Sequence, residues 1–149
     1  MSITSTMKPD RGAHWEQFSH PADMGICGYG ETMAVAFEQA ALGLTAMICE
    51  LSTICPEIPV RIRCEATDHE LLLVDWLNKL IYEMATRRML FSRFQVRITK
   101  TLLTATAWGE TIDQLRHRPT VEAKGATYTE LRVRQMENGL WIAQCIIDV

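Results

Sequence analysis

The chain has 149 residues, of which 48% are hydrophobic and 22% charged, a balance that suits one packed domain and excludes a disordered chain. Its formal charge of -3 carries no sign of the overall basic footprint with which proteins hold phosphate backbones unaided, so any RNA is expected to be reached through a protein partner. Five scattered cysteines, Cys27, Cys49, Cys55, Cys64 and Cys145, form no Cys-x-x-Cys pair and read as reduced, mostly buried thiols.

In chain order, residues 1–12 read as a loose polar tail, with the folded domain expected over 13–149. The tail lacks the apolar segment of a secretory signal and no apolar run is long enough to span a bilayer, so a cytoplasmic protein without membrane contact is expected. Short apolar stretches at 15–18 and 24–29 predict two strands, separated by a Pro/Asp-containing turn that holds Asp23. Ala36, Phe37, Ala40, Leu44, Met47 and Ile48 recur at helical spacing behind Thr32 as the capping residue, which predicts a helix over about 31–50. Val60, Ile62 and Cys64 alternate with Arg61, Arg63 and Glu65, the pattern of a strand with one wet face. A second helix is expected over about 68–88, opened by a Thr67/Glu70 capping box. Its buried stripe is Leu73, Trp76, Leu77, Leu80, Ile81 and Met84, and Asp75, Lys79, Glu83 and Arg87 follow one another at i, i+4.

Strands are predicted at 91–98 and 102–108, followed by a long polar loop over 109–122. Asn138-Gly139 predicts a type I′ turn joining strands at 127–137 and 140–149, a register that places Thr129 opposite Asp148. Strands outnumber the two main helices without regular β-α-β alternation, so the fold class is α+β: a mixed sheet, two helices and a carboxyl-terminal hairpin.

Three groups of residues are candidates for chemistry. Asp23 is a turn aspartate, for which an Asx turn is the ordinary reading and a binding role the alternative. Asp148 and Val149 close an apolar strand with two negative groups side by side, and such oxygen donors suit calcium or magnesium better than zinc or copper. Asp113, His117 and Lys124, in and beside the polar loop, are a mixture able to contact a phosphate or a partner. No P-loop, Gly-x-Ser-x-Gly or His-Glu-x-x-His signature is present.

Taken together, His20-Pro-Ala-Asp23-Met-Gly25-Ile, Leu72-Leu-Val-Asp75-Trp-Leu-Asn78, Leu90-Phe-Ser-Arg93-Phe, Trp108-Gly-Glu110, Lys124-Gly-Ala-Thr127-Tyr128 and Ile-Ile-Asp148-Val149 resemble the archease family in order and spacing over about residues 14–149. The resemblance implies a metal-binding accessory protein that activates an RtcB-type tRNA-splicing ligase, promoting its guanylylation and repeated turnover, and is not itself a catalyst. It also implies a divalent metal, calcium first and magnesium or manganese next, with Asp23, Asp148 and Val149 at the metal positions and Lys124 as the functional lysine. Gly125 and Thr129 depart from the family pattern, which has an apolar residue and a histidine there. Two other functions fit the same residues: a stand-alone metal-dependent phosphoester hydrolase, and a chaperone-like modulator of a tRNA methyltransferase.

Overall fold

The computed structural model describes residues 12–149, so the tail expected over 1–12 lies, apart from Gly12, outside the described residues. The elements are β1 (His14–His20), β2 (Asp23–Gly30), α1 (Met33–Ile48), β3 (Ile58–Glu65), α2 (His69–Arg87), β4 (Met89–Thr99), β5 (Leu102–Thr111), a short helix α3 (Gln114–His117), β6 (Gly125–Ala126), β7 (Arg132–Gln135) and β8 (Trp141–Asp148). The α+β class follows, with the strands divided between two antiparallel sheets instead of one. The larger sheet has the order β1-β2-β8-β6, with β7 also on β8, and the smaller the order β3-β5-β4.

The helices lie between the sheets. Helix α1 carries a single charged residue, Glu38, among sixteen, and it buries Ala36, Ala40, Gly43 and Met47 as well as Phe37, Ala41, Leu44 and Ile48. A helix apolar over so wide an arc needs partners on more than one side, and α1 packs on β2 and β8 of the larger sheet and on β4 of the smaller. Close approach to β2 requires Gly28, where a Cβ would stand 2.1 Å from the Ala36 carbonyl oxygen. Helix α2 completes the layer: fully buried Trp76 donates its indole N–H to the Phe37 carbonyl at 3.0 Å and meets the Phe94 ring edge-on at 6.0 Å. That one side chain ties both helices to the smaller sheet. With the helices inside, each sheet turns its other face outward.

Several expectations are corrected. The cap of α2 is Asp68, which accepts the Leu71 amide at 2.9 Å, so the helix starts one residue later than the Thr67/Glu70 box requires. Of the expected charge ladder on α2, the pair that closes is Glu83–Arg87. The polar loop over 109–122 is partly ordered structure, because β5 runs on to Thr111 and Asp113 caps α3. The terminal hairpin has a three-residue loop in place of a type I′ turn: Met136 and Leu140 pair, and the Gly139 amide donates back to the Met136 carbonyl. Gly139 has φ +90° and Asn138 does not share it, whereas type I′ needs positive φ at both central positions. The loop moves the register by one residue and the break between β6 and β7 by three more, so that Asp148 faces Gly125 on β6 rather than Thr129. As expected, all five cysteines are free thiols, four of them buried.

Candidate functional site

The β1–β2 connection is a tight two-residue hairpin. His20 and Asp23 pair across it, leaving Pro21 and Ala22 as the turn, with Ala22 at φ +65°. Proline sets the first position of such a turn and the second demands a left-handed backbone. Asp23 is therefore the first residue of a strand, held on both sides. Its other neighbour is Asp148, directly opposite on β8, and Gly125 lies opposite Asp148 in turn.

A row thus crosses four strands at one end of the larger sheet: His20, Asp23, Asp148, Gly125. Residues directly opposite in an antiparallel pair present their side chains on one face with Cβ atoms about 4.5–5.5 Å apart, and like charges so placed repel. Among the described residues, no ion pair involves Asp23, Asp148 or Lys124. Glycine on the far side of Asp148 leaves room there: a Cβ at residue 125 would meet only the Asn78 amide oxygen, at 3.6 Å.

The backbone around this row is tied down. The Lys124 amide donates to the Asp148 carbonyl at 2.7 Å, and the Thr127 amide and hydroxyl both donate to the Ile146 carbonyl at 3.0 Å. Asn78 on α2 accepts the Ala126 amide at 2.8 Å, anchoring β6 to the helix layer. Val149 packs its side chain against the core, which holds the main chain beyond Asp148 in place.

His20 reaches Glu130 at 3.3 Å through Nε2, while its Nδ1 is buried without a hydrogen-bond partner. Asn78 and His20 sit inside the motif strings quoted above, so the signal for them was present in the sequence. Glu130 had none, because its approach depends on the chain doubling back between β6 and β7.

Of the expected residues, the structure brings together Asp23, Asp148, Val149 and the Lys124 backbone. Asp113 and His117 lie elsewhere and are engaged. The Asp113 carboxylate accepts the Leu115 and Arg116 amides. The His117 side chain is buried: Nδ1 accepts the Asp113 amide at 2.8 Å, which leaves the proton on Nε2 to be donated to Glu110 at 2.8 Å. Arg116 grips the same carboxylate through two N–H groups at 2.8 and 2.9 Å, and the Cys55 amide adds a fourth donor at 2.8 Å. Arg116 above all, then the Cys55 amide, holds the Glu110 carboxyl down at about 2. This cluster fastens the 110–118 segment and engages the Asp113 carboxylate and both His117 ring nitrogens within the fold.

Two carboxylates on adjacent strands with main-chain oxygens beside them are a hard-oxygen donor set, chemically suited to calcium or magnesium. Among the described residues, no group of three or more His, Cys, Asp or Glu side chains is arranged to hold a metal. The side chains therefore fit a divalent cation as part of its shell, not as a closed cage.

The model of the Archease protein family (MTH1598/TM1083) matches residues 15–149. The protein archease of Pyrococcus furiosus is 35% identical over 139 residues, covering 91% of this chain and 98% of that one. The Methanosarcina mazei protein archease is 32% identical over 146 residues, covering 95% and 99%. The solution structure of Methanobacterium thermoautotrophicum protein 1598 superposes with a TM-score of 0.79 at 32% identity, covering 91% of this chain and 98% of that one. A Thermotoga maritima archease, described as a possible chaperone, shares the fold at a TM-score of 0.55 and 15% identity, with 97% and 98% coverage. Domain-long sequence similarity and the shared two-sheet fold lead to one conclusion: the chain belongs to the archease family.

Proposed function

We propose that this chain is an accessory protein that activates an RtcB-type RNA ligase in tRNA splicing or RNA repair, promoting its guanylylation and repeated turnover, and is not itself the catalyst. The observation that carries the reading is the Asp23–Asp148 pairing, which places two unpaired carboxylates opposite one another on a rigid sheet end. We propose that this end binds a divalent cation, calcium ahead of magnesium or manganese, which when bound would supply charge neutralisation and open coordination positions. In this reading Asp23, Asp148 and the main-chain oxygens of Val149 are its protein ligands. They provide too few oxygens for the six to eight of a calcium shell, leaving places for water or for the ligase.

In this reading Lys124, whose backbone is tied to Asp148, extends its exposed ammonium toward a phosphate of the ligase reaction. RNA is met by this end through the ligase. The 110–118 segment is fastened by the Glu110 cluster, which engages His117, so a stand-alone hydrolase would have to rely on Lys124 to serve its substrate.

The test is a guanylylation and multiple-turnover assay of the ligase with and without this protein. Wild type stimulates both, and Asp23→Ala or Asp148→Ala abolishes the stimulation while the far-ultraviolet circular dichroism is kept. Full stimulation by both variants overturns the metal role, and no stimulation by wild type overturns the ligase role.

A further inference from the structure

The outward face of the smaller sheet carries charge of the opposite sign. On β3 the outward residues are Pro59, Arg61, Arg63 and Glu65, alternating with buried Val60, Ile62 and Cys64. On β4, exposed Arg93, Gln95 and Arg97 alternate with buried Phe94 and Val96. On the central strand, β5, Thr106 stands between Arg61 and Gln95 and Thr104 between Arg63 and Arg97, with Trp108 between Pro59 and Arg93 at one end. Two lines of long cationic side chains flank a floor of hydroxyls, and a shallow depression of about 590 Å³ runs between them. With strands about 4.8 Å apart, the lines are separated by roughly 10 Å, and the charges stand about 6.8 Å apart on β3 and about 13.6 Å apart on β4, where Gln95 lies between the two arginines.

Little of this charge is compensated. Glu65 lies 3.7 Å from Arg63, both well exposed, and no carboxylate pairs with Arg61, Arg93 or Arg97 among the described residues. Four arginines against one glutamate leave these positions at +3, so in a chain of net -3 all the remaining residues together carry -6. A sheet face that is merely solvated mixes both signs. Next to the depression the Arg93 guanidinium carbon sits over Trp108, 4.5 Å from the ring centroid, a cation–π contact that sets a cation beside an aromatic ring, the pair of groups on which unstacked bases rest.

We propose that this face binds single-stranded nucleic acid, mainly through its phosphodiester backbone, with Arg61, Arg63 and Arg97 contacting phosphates and Arg93 on Trp108 serving as the stacking platform. Charge complementarity selects a polyanion, and a hydroxyl floor with a planar cation–indole platform suits a chain of phosphates and bases better than an acidic helix. Such binding is independent of the ligase reading, since it concerns the opposite sheet and free nucleic acid.

Fluorescence anisotropy of a labelled oligouridylate of about 12 nucleotides tests it. Three to four phosphate contacts predict a slope of about -2 to -3 in log K against log salt, or roughly a 20- to 50-fold loss between about 50 and 200 mM. Arg61→Ala with Arg97→Ala should flatten that slope by about 1.4, the share of two contacts. Arg61→Lys with Arg97→Lys keeps the slope, and Arg134→Ala on the other sheet leaves binding unchanged. Circular dichroism and melting of each variant confirm the fold, and the lysine pair keeps the test decisive if the alanine pair melts early. Absence of binding at low salt, a slope unmoved by the alanine pair, or stronger binding of oligoglutamate than of RNA overturns the proposal.

Discussion

The two sheets expose opposite charges in the same manner. At the end of the larger sheet Asp23 and Asp148 stand opposite each other, with no ion pair to either among the described residues. Across the outer face of the smaller one, Arg61, Arg93 and Arg97 have no carboxylate partner among the described residues. The Glu110 cluster shows how this fold treats charge that serves its own structure, since that one carboxylate is satisfied by Arg116, His117 and the Cys55 amide. Paired charge fastens a segment, whereas the unpaired like charges on the two sheets are where the proposed cation and nucleic acid would bind. The contrast between compensated and uncompensated groups separates structure from binding better than their exposure alone.

The largest disturbance should come from the layer that holds both regions in place. Trp76→Ala removes a fully buried indole and its hydrogen bond to the Phe37 carbonyl, at a cost of about 3–5 kcal/mol. Chemical denaturation should then show the acidic end and the arginine face lost together. Separate transitions would break the picture of one helix layer serving both sheets.

Next in size is the response to calcium. A saturating cation at about 100 times its Kd stabilises the folded chain by about 2.7 kcal/mol, which melting experiments read as a rise in Tm. Asp148→Asn should lose that response, yet without divalent metal it should be more stable than wild type by up to about 1 kcal/mol, since opposed like charges are relieved. A destabilised Asp148→Asn under metal-free conditions would mean that the pair is already compensated.

Glu110→Gln should behave in the opposite way, costing about 1–2 kcal/mol at neutral pH by weakening charge-assisted hydrogen bonds. Because the folded carboxyl titrates at about 2 rather than its ordinary 4.5, its contribution is complete above about pH 4.5 and is lost as pH falls toward 2. Denaturant midpoints measured across that window should fall less steeply in the variant than in wild type. The smallest effect is expected from Ala22→Gly, which relieves a non-glycine residue at φ +65° beside Asp23 and should add up to about 1 kcal/mol, detectable as a small rise in Tm.

Much of the fold was legible because local rules and tertiary packing agree. Thr32 caps α1 as its side chain predicts, accepting the Val35 amide at 3.1 Å, and the alternation at 60–65 is the wet-faced strand β3. Where two local solutions compete, packing decided. Thr67 and Asp68 can each cap α2, and the helix begins behind Asp68. Asn138-Gly139 favours either a two-residue or a three-residue loop, and the paired Met136 and Leu140 choose the latter.

The candidate site divides along the same line. Asp23 and Asp148 were visible as residues from the amino-acid order, as was the resemblance that links them, since side-chain identity and motif spacing are one-dimensional properties. Their direct opposition, with Gly125 rather than Thr129 beside Asp148, required the register of β2, β6 and β8, which only long-range pairing establishes. The arginine face was less legible still. Arg61 and Arg63 show in the β3 pattern, but Arg93 and Arg97 join them only because β5 lies between β3 and β4, and a net charge of -3 averages the patch away. Sequence carries the sign of each charge, while the sheet decides which charges share a face.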